Sequence, residues 1–222
     1  PYPYPETVND MAKMMYNELV AALPSIEAKD YGIPMIRANY GVGTFASLFG
    51  LKSRILSTNL PWVDHLENDD EVRHLIEKGI PSLENGFGKQ VALTHEFYRE
   101  QLAKYPKCSK YIHIYHPDLQ GPFDDAHLIY GPEIYTALYD DDELISELLT
   151  LITDTYIKFM EWIKPQITDG ANGNCYHWGT IYGGNIVLRD DSPVNLSSDM
   201  YQEFAKKYDD RLLAHFKTGS MH

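Results

Sequence analysis

Two periodicities alternate along this chain, and that alternation constrains its fold more than any single motif. Short apolar runs of strand length lie at 32–39, 111–115 and 185–188, with a briefer one at 53–57. Between them, apolar residues recur every three to four positions over longer stretches. The strongest stretch, 141–164, carries Leu144, Leu148, Leu149, Ile152, Tyr156, Phe159, Met160 and Ile163 as one wide stripe. Such a stripe predicts a helix packed on a core, and Asp141, Asp142 and Glu143 favour its positive N-terminal end. Further helices are expected at 7–22, capped by Thr7 or Asn9, at 69–77, at 85–104, and from Ser197 or Ser198 to 216. The segment 107–110 reads as a loop, 169–174 as a turn, and 219–222 as the opening of another strand. Parallel strands need long crossovers, and helices between strands supply them, so the expected class is α/β with a parallel sheet.

Length narrows this further. A chain of 222 residues is within the range of one α/β barrel, about 250 residues, yet roughly four strands are too few to close eight. It opens on a helix after an extended PYPYPE lead-in and reaches a strand at its end. The expectation is therefore a single domain over 1–222. It would be a partial (β/α)8 TIM barrel of parallel strands alternating with helices, truncated at both ends. A cut barrel exposes sheet edges, so an oligomer is expected as well.

Composition excludes several classes of partner. A net charge of −13 argues against nucleic acid, whose phosphates require a basic surface. No apolar run approaches the ~18 residues that a membrane span needs. Two cysteines, Cys108 and Cys175, are too few for a disulfide framework and suit a reducing, cytoplasmic compartment.

Parallel α/β folds place their chemistry at the carboxyl ends of strands. That rule singles out Arg37 and Asn39, then His116, Asp118 and Gln120, then Arg189, Asp190 and Asp191, and finally His222. Neighbouring carboxylates raise one another's pKa, so one of the pair Asp190 and Asp191 can act as a proton carrier at neutral pH. Alternation along the strand end turns one acid inward and the other outward. Arg189 is expected to pair with the outward acid, or to receive a substrate carboxylate in bidentate fashion. Asn39, Gln120, Asp190 and His222 are expected to share one cavity. Asp124, Asp125 and His127 read as a solvated helix start. Cys175 and His177 lie two apart on an extended chain, a weak metal pair. The run 41–46 fits G-x-G-x-x-A, a weak dinucleotide fingerprint whose helix is interrupted at Gly50 and whose second strand is disturbed at Pro61.

Two segments carry a family resemblance. Gln120-Gly121-Pro122-Phe123, with Leu128-Ile129-Tyr130-Gly131 after it, resembles the G-P-F segment of the uroporphyrinogen decarboxylase superfamily. Residues 183–209 are similar to its later strand that ends in acids and opens a helix. The likeness runs from about Asp30 onward. It implies a (β/α)8 barrel and three alternative functions. The first is a carboxy-lyase acting on a tetrapyrrole or a related carboxylated substrate without a cofactor. In it Asp190, Asp191 and Asn39 hold the catalytic positions, and Arg37, His116, Gln120, His177 and Arg189 hold substrate. Here Asn39 stands where the decarboxylases carry an acid, and their early R-Q-A-G-R-Y segment is absent. The second is a zinc-dependent methyltransferase working with a corrinoid protein, for which His222 matches the first residue of an H-x-C metal motif. The third is a catalytically silent tetrapyrrole- or corrinoid-binding module.

Overall fold

The computed structural model describes residues 1–55 and 62–222. A one-turn helix, α1 (Tyr4–Thr7), leads into α2 (Met11–Ala28). Asp10, not Thr7 or Asn9, caps α2, because its carboxylate accepts the otherwise orphaned N–H groups of Ala12 and Lys13. Strand β1 (Met35–Arg37) follows, then two short 3-10 turns over 42–49 and an antiparallel pair, β2 (Ser53–Arg54) with β3 (Trp62–Val63). Those 3-10 turns stand where the dinucleotide reading needs a helix, so no helix N-terminus is there to receive a pyrophosphate. Leu56 and Ser57 of the strand expected at 53–57, and Pro61, lie outside the described residues.

Next come α3 (Asp69–Lys78), α4 (Gly88–Ala103), α5 (Pro106–Tyr111) and β4 (His113–Tyr115). The loop expected at 107–110 is the body of α5. Pro106 at its first position presets a helical φ and gives up only an N–H that would be orphaned anyway. Helices α6 (Pro122–Tyr130), α7 (Ile134–Asp140) and α8 (Asp142–Ile163) then run almost without pause, and the Asp141 carboxylate caps α8 through the Leu144 N–H. A hairpin of β5 (Asn174–His177) and β6 (Thr180–Gly183) precedes β7 (Val187–Leu188). Ser197 caps α9 (Ser198–Tyr201), which passes through a π turn into α10 (Lys207–His215) and on to β8 (Ser220–Met221).

The fold is mixed α/β with short strands. β1 pairs with β4 in parallel, Ile36 opposite Ile114, and β7 pairs with β8 in parallel, Leu188 opposite Met221. The Gly121 N–H donates to the Arg189 carbonyl and so joins the continuation of β4 to that of β7. Among the described residues these strands do not close into a barrel. Parallel pairing throughout is corrected at two places, since β2–β3 and β5–β6 are antiparallel. The β5–β6 turn has only Trp178 and Gly179 between the paired His177 and Thr180, with φ of 43° and 79°. Two positive φ values in a two-residue loop match the twist of a hairpin, and the usual sequence cue for it is Asn-Gly. No such cue is present here.

The core forms around α8, whose Leu148, Ile152, Tyr156 and Phe159 are buried together with Phe45 and Phe123. Phe45 meets Tyr156 and Phe159 at ring separations of 5.6 and 6.1 Å. Helix α6 is enclosed on nearly every side, and this fixes the Gln120-Gly121-Pro122 turn beneath the ends of β4 and β7. No helix among the described residues is long and apolar enough to cross a membrane.

Candidate active site

The carboxyl ends of three strands meet at one carboxylate. Arg37 ends β1, Asp118 follows β4 and Arg189 follows β7. Arg37 Nη2 lies 3.3 Å from Asp118 Oδ2, and the Arg189 guanidinium donates to Asp118 Oδ1. All three side chains are buried. Two guanidinium groups therefore share one acid, with Arg37 Nη1 and Arg189 Nε left without partners among the described residues. The arrangement carries surplus positive charge and unused N–H donors at the strand ends. Gln120 joins it by donating from Nε2 to Asp118 Oδ1 at 3.3 Å.

Beside this triad stands a stack of imidazoles. His116 donates from Nδ1 to Asp169, and its backbone N–H reaches the same oxygen at 3.1 Å. The other Asp169 oxygen accepts the Tyr176 N–H at 2.9 Å, so Asp169 ties β5 to the end of β4. With Nδ1 carrying the proton, the His116 ring presents a lone pair at Nε2, which has no partner among the described residues. The His177 ring lies parallel to it at 5.3 Å. Burial pushes the His177 pKa down to about 2, with His116, Arg189 and Arg37 adding repulsion. Trp178, 61% exposed, stacks on His177 and carries the Arg189 guanidinium over its ring at 5.4 Å. His222 approaches His177 and Trp178 at 5.1 and 5.7 Å between ring centres.

The Arg189-Asp190-Asp191 run divides its side chains among three environments. Arg189 pairs with Asp118 and not with the acid next to it, which corrects the expected pairing. Asp190 turns to the start of α6, where Oδ1 accepts the Asp124 N–H at 2.8 Å. Asp191 is exposed and borders a cavity of about 380 Å3 that Gln120 also lines. Asp124 and Asp125 are not solvated as expected. The Asp124 carboxylate accepts the Asp191 and Ser192 N–H groups at 2.9 and 2.6 Å, while Asp125 is fully buried with both oxygens unpaired among the described residues. Burial and the charges of Asp124 and Asp190 raise the Asp125 pKa well above the carboxylate range. Burial, Asp209 and Asp124 do the same to Asp190.

Asn39 does not join the other strand-end groups. Its Nδ2 donates to Glu18 of α2 at 2.9 Å, and the Arg37 N–H donates to the same carboxyl at 3.2 Å. Glu18 is half-buried, and a carboxyl drawn out of water needs donors, which it takes from β1 and the residues after it. One shared cavity for Asn39, Gln120, Asp190 and His222 is thus corrected: Arg37, His116, Asp118, Gln120, His177, Arg189 and His222 adjoin one another, whereas Asn39 and Asp190 face neighbouring helices. Glu18 and Asp169 were not singled out from sequence. Glu18 falls one turn after Met14 on the apolar side of α2, which is a readable signal. Asp169 is hidden within turn chemistry.

Gly121 is the narrow point. A Cβ there would lie 2.6 Å from the Asp190 side chain and 2.9 Å from the Arg189 carbonyl. Gly121→Ala is expected to cost about 1–3 kcal/mol through overpacking, measured by urea unfolding. An unchanged midpoint would show that the β4–β7 junction is looser than described.

The described residues assemble no set of metal ligands around His222. Among the described residues no three His, Cys, Asp or Glu side chains gather closely enough to hold an ion. The Cys175 thiol donates to the Gly184 carbonyl at 3.3 Å, its pKa is pushed up to about 12 by burial, and no third such side chain joins Cys175 and His177 among the described residues. His222 has the rings of His177, Trp178 and Tyr182 as neighbours.

No family model and no curated protein matches the chain. Among solved structures it is similar to a methyltransferase from Methanosarcina mazei, with a TM-score of 0.68 and 16% sequence identity. The match covers 99% of this chain and 58% of the methyltransferase. At that identity the likeness is one of fold, and this chain spans little more than half the length of its counterpart.

Proposed function

We propose that the chain is the substrate-binding part of a methyltransferase built on an arc of a (β/α) barrel. The observation that carries this reading is the fold match over nearly the whole chain to a methyltransferase, combined with an Asp-oriented histidine beside a buried, cation-rich triad. The acceptor is a thiol, the donor a methylated corrinoid carried by a partner protein. His116 takes the thiol proton at Nε2, with Asp169 fixing its tautomer and stabilising the imidazolium that forms. The Arg37–Asp118–Arg189 triad stabilises the thiolate through its surplus charge, because preorganised cations in a dry site act more strongly than in water. The low pKa of His177 keeps it neutral, so it packs against His116 without competing for the proton. No step is routed through zinc. A cytosolic location goes with this reading, since Cys108 and Cys175 are both free.

The test is methyl transfer from methylcobalamin to a thiol, followed by the change in the visible spectrum of the corrinoid. Turnover that falls at least about a hundredfold in His116→Ala is the expected result. Release of CO2 from uroporphyrinogen without methyl transfer would replace this reading with the decarboxylase one. Binding of either compound without turnover would leave a silent binding module.

A further inference from the structure

The cavity of about 380 Å3 beside the triad has a lining whose hydrogen-bonding character is set by neighbours. Gln120 gives one N–H of its amide to Asp118, and its Oε1 remains an acceptor for the cavity. His65 donates from Nδ1 to the Leu66 carbonyl at 3.0 Å, and in that tautomer Nε2 is a second acceptor. The Asp124 oxygens are both occupied by backbone N–H groups. Asp191 uses only its own N–H in that arrangement, and its exposed carboxylate is the free charge of the lining. No Lys or Arg is among the lining residues described. Trp62 adds an aromatic face, and Val42, Val63, Leu128 and Pro132 add apolar wall. Gly131, at φ 92°, admits the His65 ring, since a Cβ there would lie 2.9 Å from it.

A site that presents acceptors, one carboxylate and an aromatic face, without a lysine or arginine, is complementary to a ligand that donates and carries positive charge. We propose that this cavity binds an organic ammonium group on an apolar stem. The N–H groups meet Asp191, Gln120 and His65. Trp62 contributes cation–π attraction, and the stem packs on the aliphatic wall. A volume of this size accepts a small organic molecule and not a macrocycle. The inference deepens the methyltransferase reading by naming the charge class of one ligand at the same strand ends. It rests on that reading only for the meaning of binding and not for the binding itself.

Titration calorimetry at pH 7 on the full chain tests it, with benzylamine, benzyl alcohol and benzoate as probes of one shape and three charges. Benzylamine is expected to bind about tenfold or more tightly than benzyl alcohol, with benzoate weaker still. Asp191→Asn keeps the backbone N–H that Asp124 uses, and is expected to lose about tenfold in benzylamine affinity with little change in benzyl alcohol affinity. Trp62→Leu keeps an apolar wall and should lose severalfold, again for the amine alone. Equal affinity for the alcohol, unchanged amine affinity in both variants, or no amine binding at all would overturn the proposal. Calorimetry reads binding without turnover. Methyl transfer with no amine binding therefore removes this inference alone, and amine binding with no methyl transfer removes only the reaction assigned above.

Discussion

Asp118→Asn is expected to lower stability by about 3–5 kcal/mol, because it leaves two buried guanidinium groups without a counter-charge. Asparagine keeps the shape and one acceptor oxygen, so the loss reads charge and not volume. Arg37 and Arg189 are only 7% and 5% exposed and cannot reach water without moving β1 and β7. Glu18 gives partial relief at Arg37, but burial raises its pKa and weakens it as a counter-ion. Methyl transfer should disappear in the same variant, since the cations then repel each other out of position. Replacing Arg37, Asp118 and Arg189 together by Met, Leu and Met should restore most of the stability and none of the activity. Denaturant unfolding of both variants checks this. A marginal loss in Asp118→Asn would mean that the triad is solvated.

Asp125→Asn is expected to move stability in the opposite direction, by about 2–4 kcal/mol at pH 7 and near zero at pH 4. Burial, with Asp124 and Asp190 beside it, favours the protonated form of Asp125 in the folded chain. A carboxyl whose folded pKa is raised binds more protons folded than unfolded. Its contribution is intact below the ordinary carboxyl pKa of 3.8, and stability is lost as pH rises toward the folded pKa. Each pH unit in that window costs about 1.4 kcal/mol. Asp209, pushed up to about 7 by burial, Asp210 and Asp124, adds a loss of the same sign that levels off near its own pKa. Parallel melting curves of wild type and variant from pH 4 to 8 read the difference. Curves that stay parallel would show that Asp125 is ionised or paired in solution.

The strand-end rule located Arg37, His116, Asp118, Gln120, Arg189 and His222 from sequence because each directly ends or follows a short apolar run. The partners were less visible. Asp169 stands in a Gly- and Asn-rich segment where turn propensity explains every residue, and only the path of β5 across the end of β4 brings it to His116. The β5–β6 hairpin is turned by Trp178-Gly179, so the pair that places His177 and Trp178 over the triad has no Asn-Gly cue. Asp124 and Asp125 read as solvated because carboxylates favour the first turn of a helix. Helix α6 is instead enclosed on most sides, a tertiary fact that no local pattern encodes. The same strand-end rule placed Asn39 and Asp190 in the shared cavity, but β1 ends at Arg37 and β7 at Leu188, so both side chains lie past the strands and turn to neighbouring helices.

The central claim is that β1, β4 and β7 deliver their ends to one carboxylate, and a double-mutant cycle on Arg37→Met and Arg189→Met tests it most directly. If both cations share Asp118, either single variant leaves a neutral ion pair and only the double variant strands a buried acid. Unfolding free energies should then be non-additive, with the double variant losing about 0.5–3 kcal/mol more than the sum of the singles. Losses that add to within about 0.5 kcal/mol would show that the two arginines do not meet at Asp118, and the site built on that meeting would not exist.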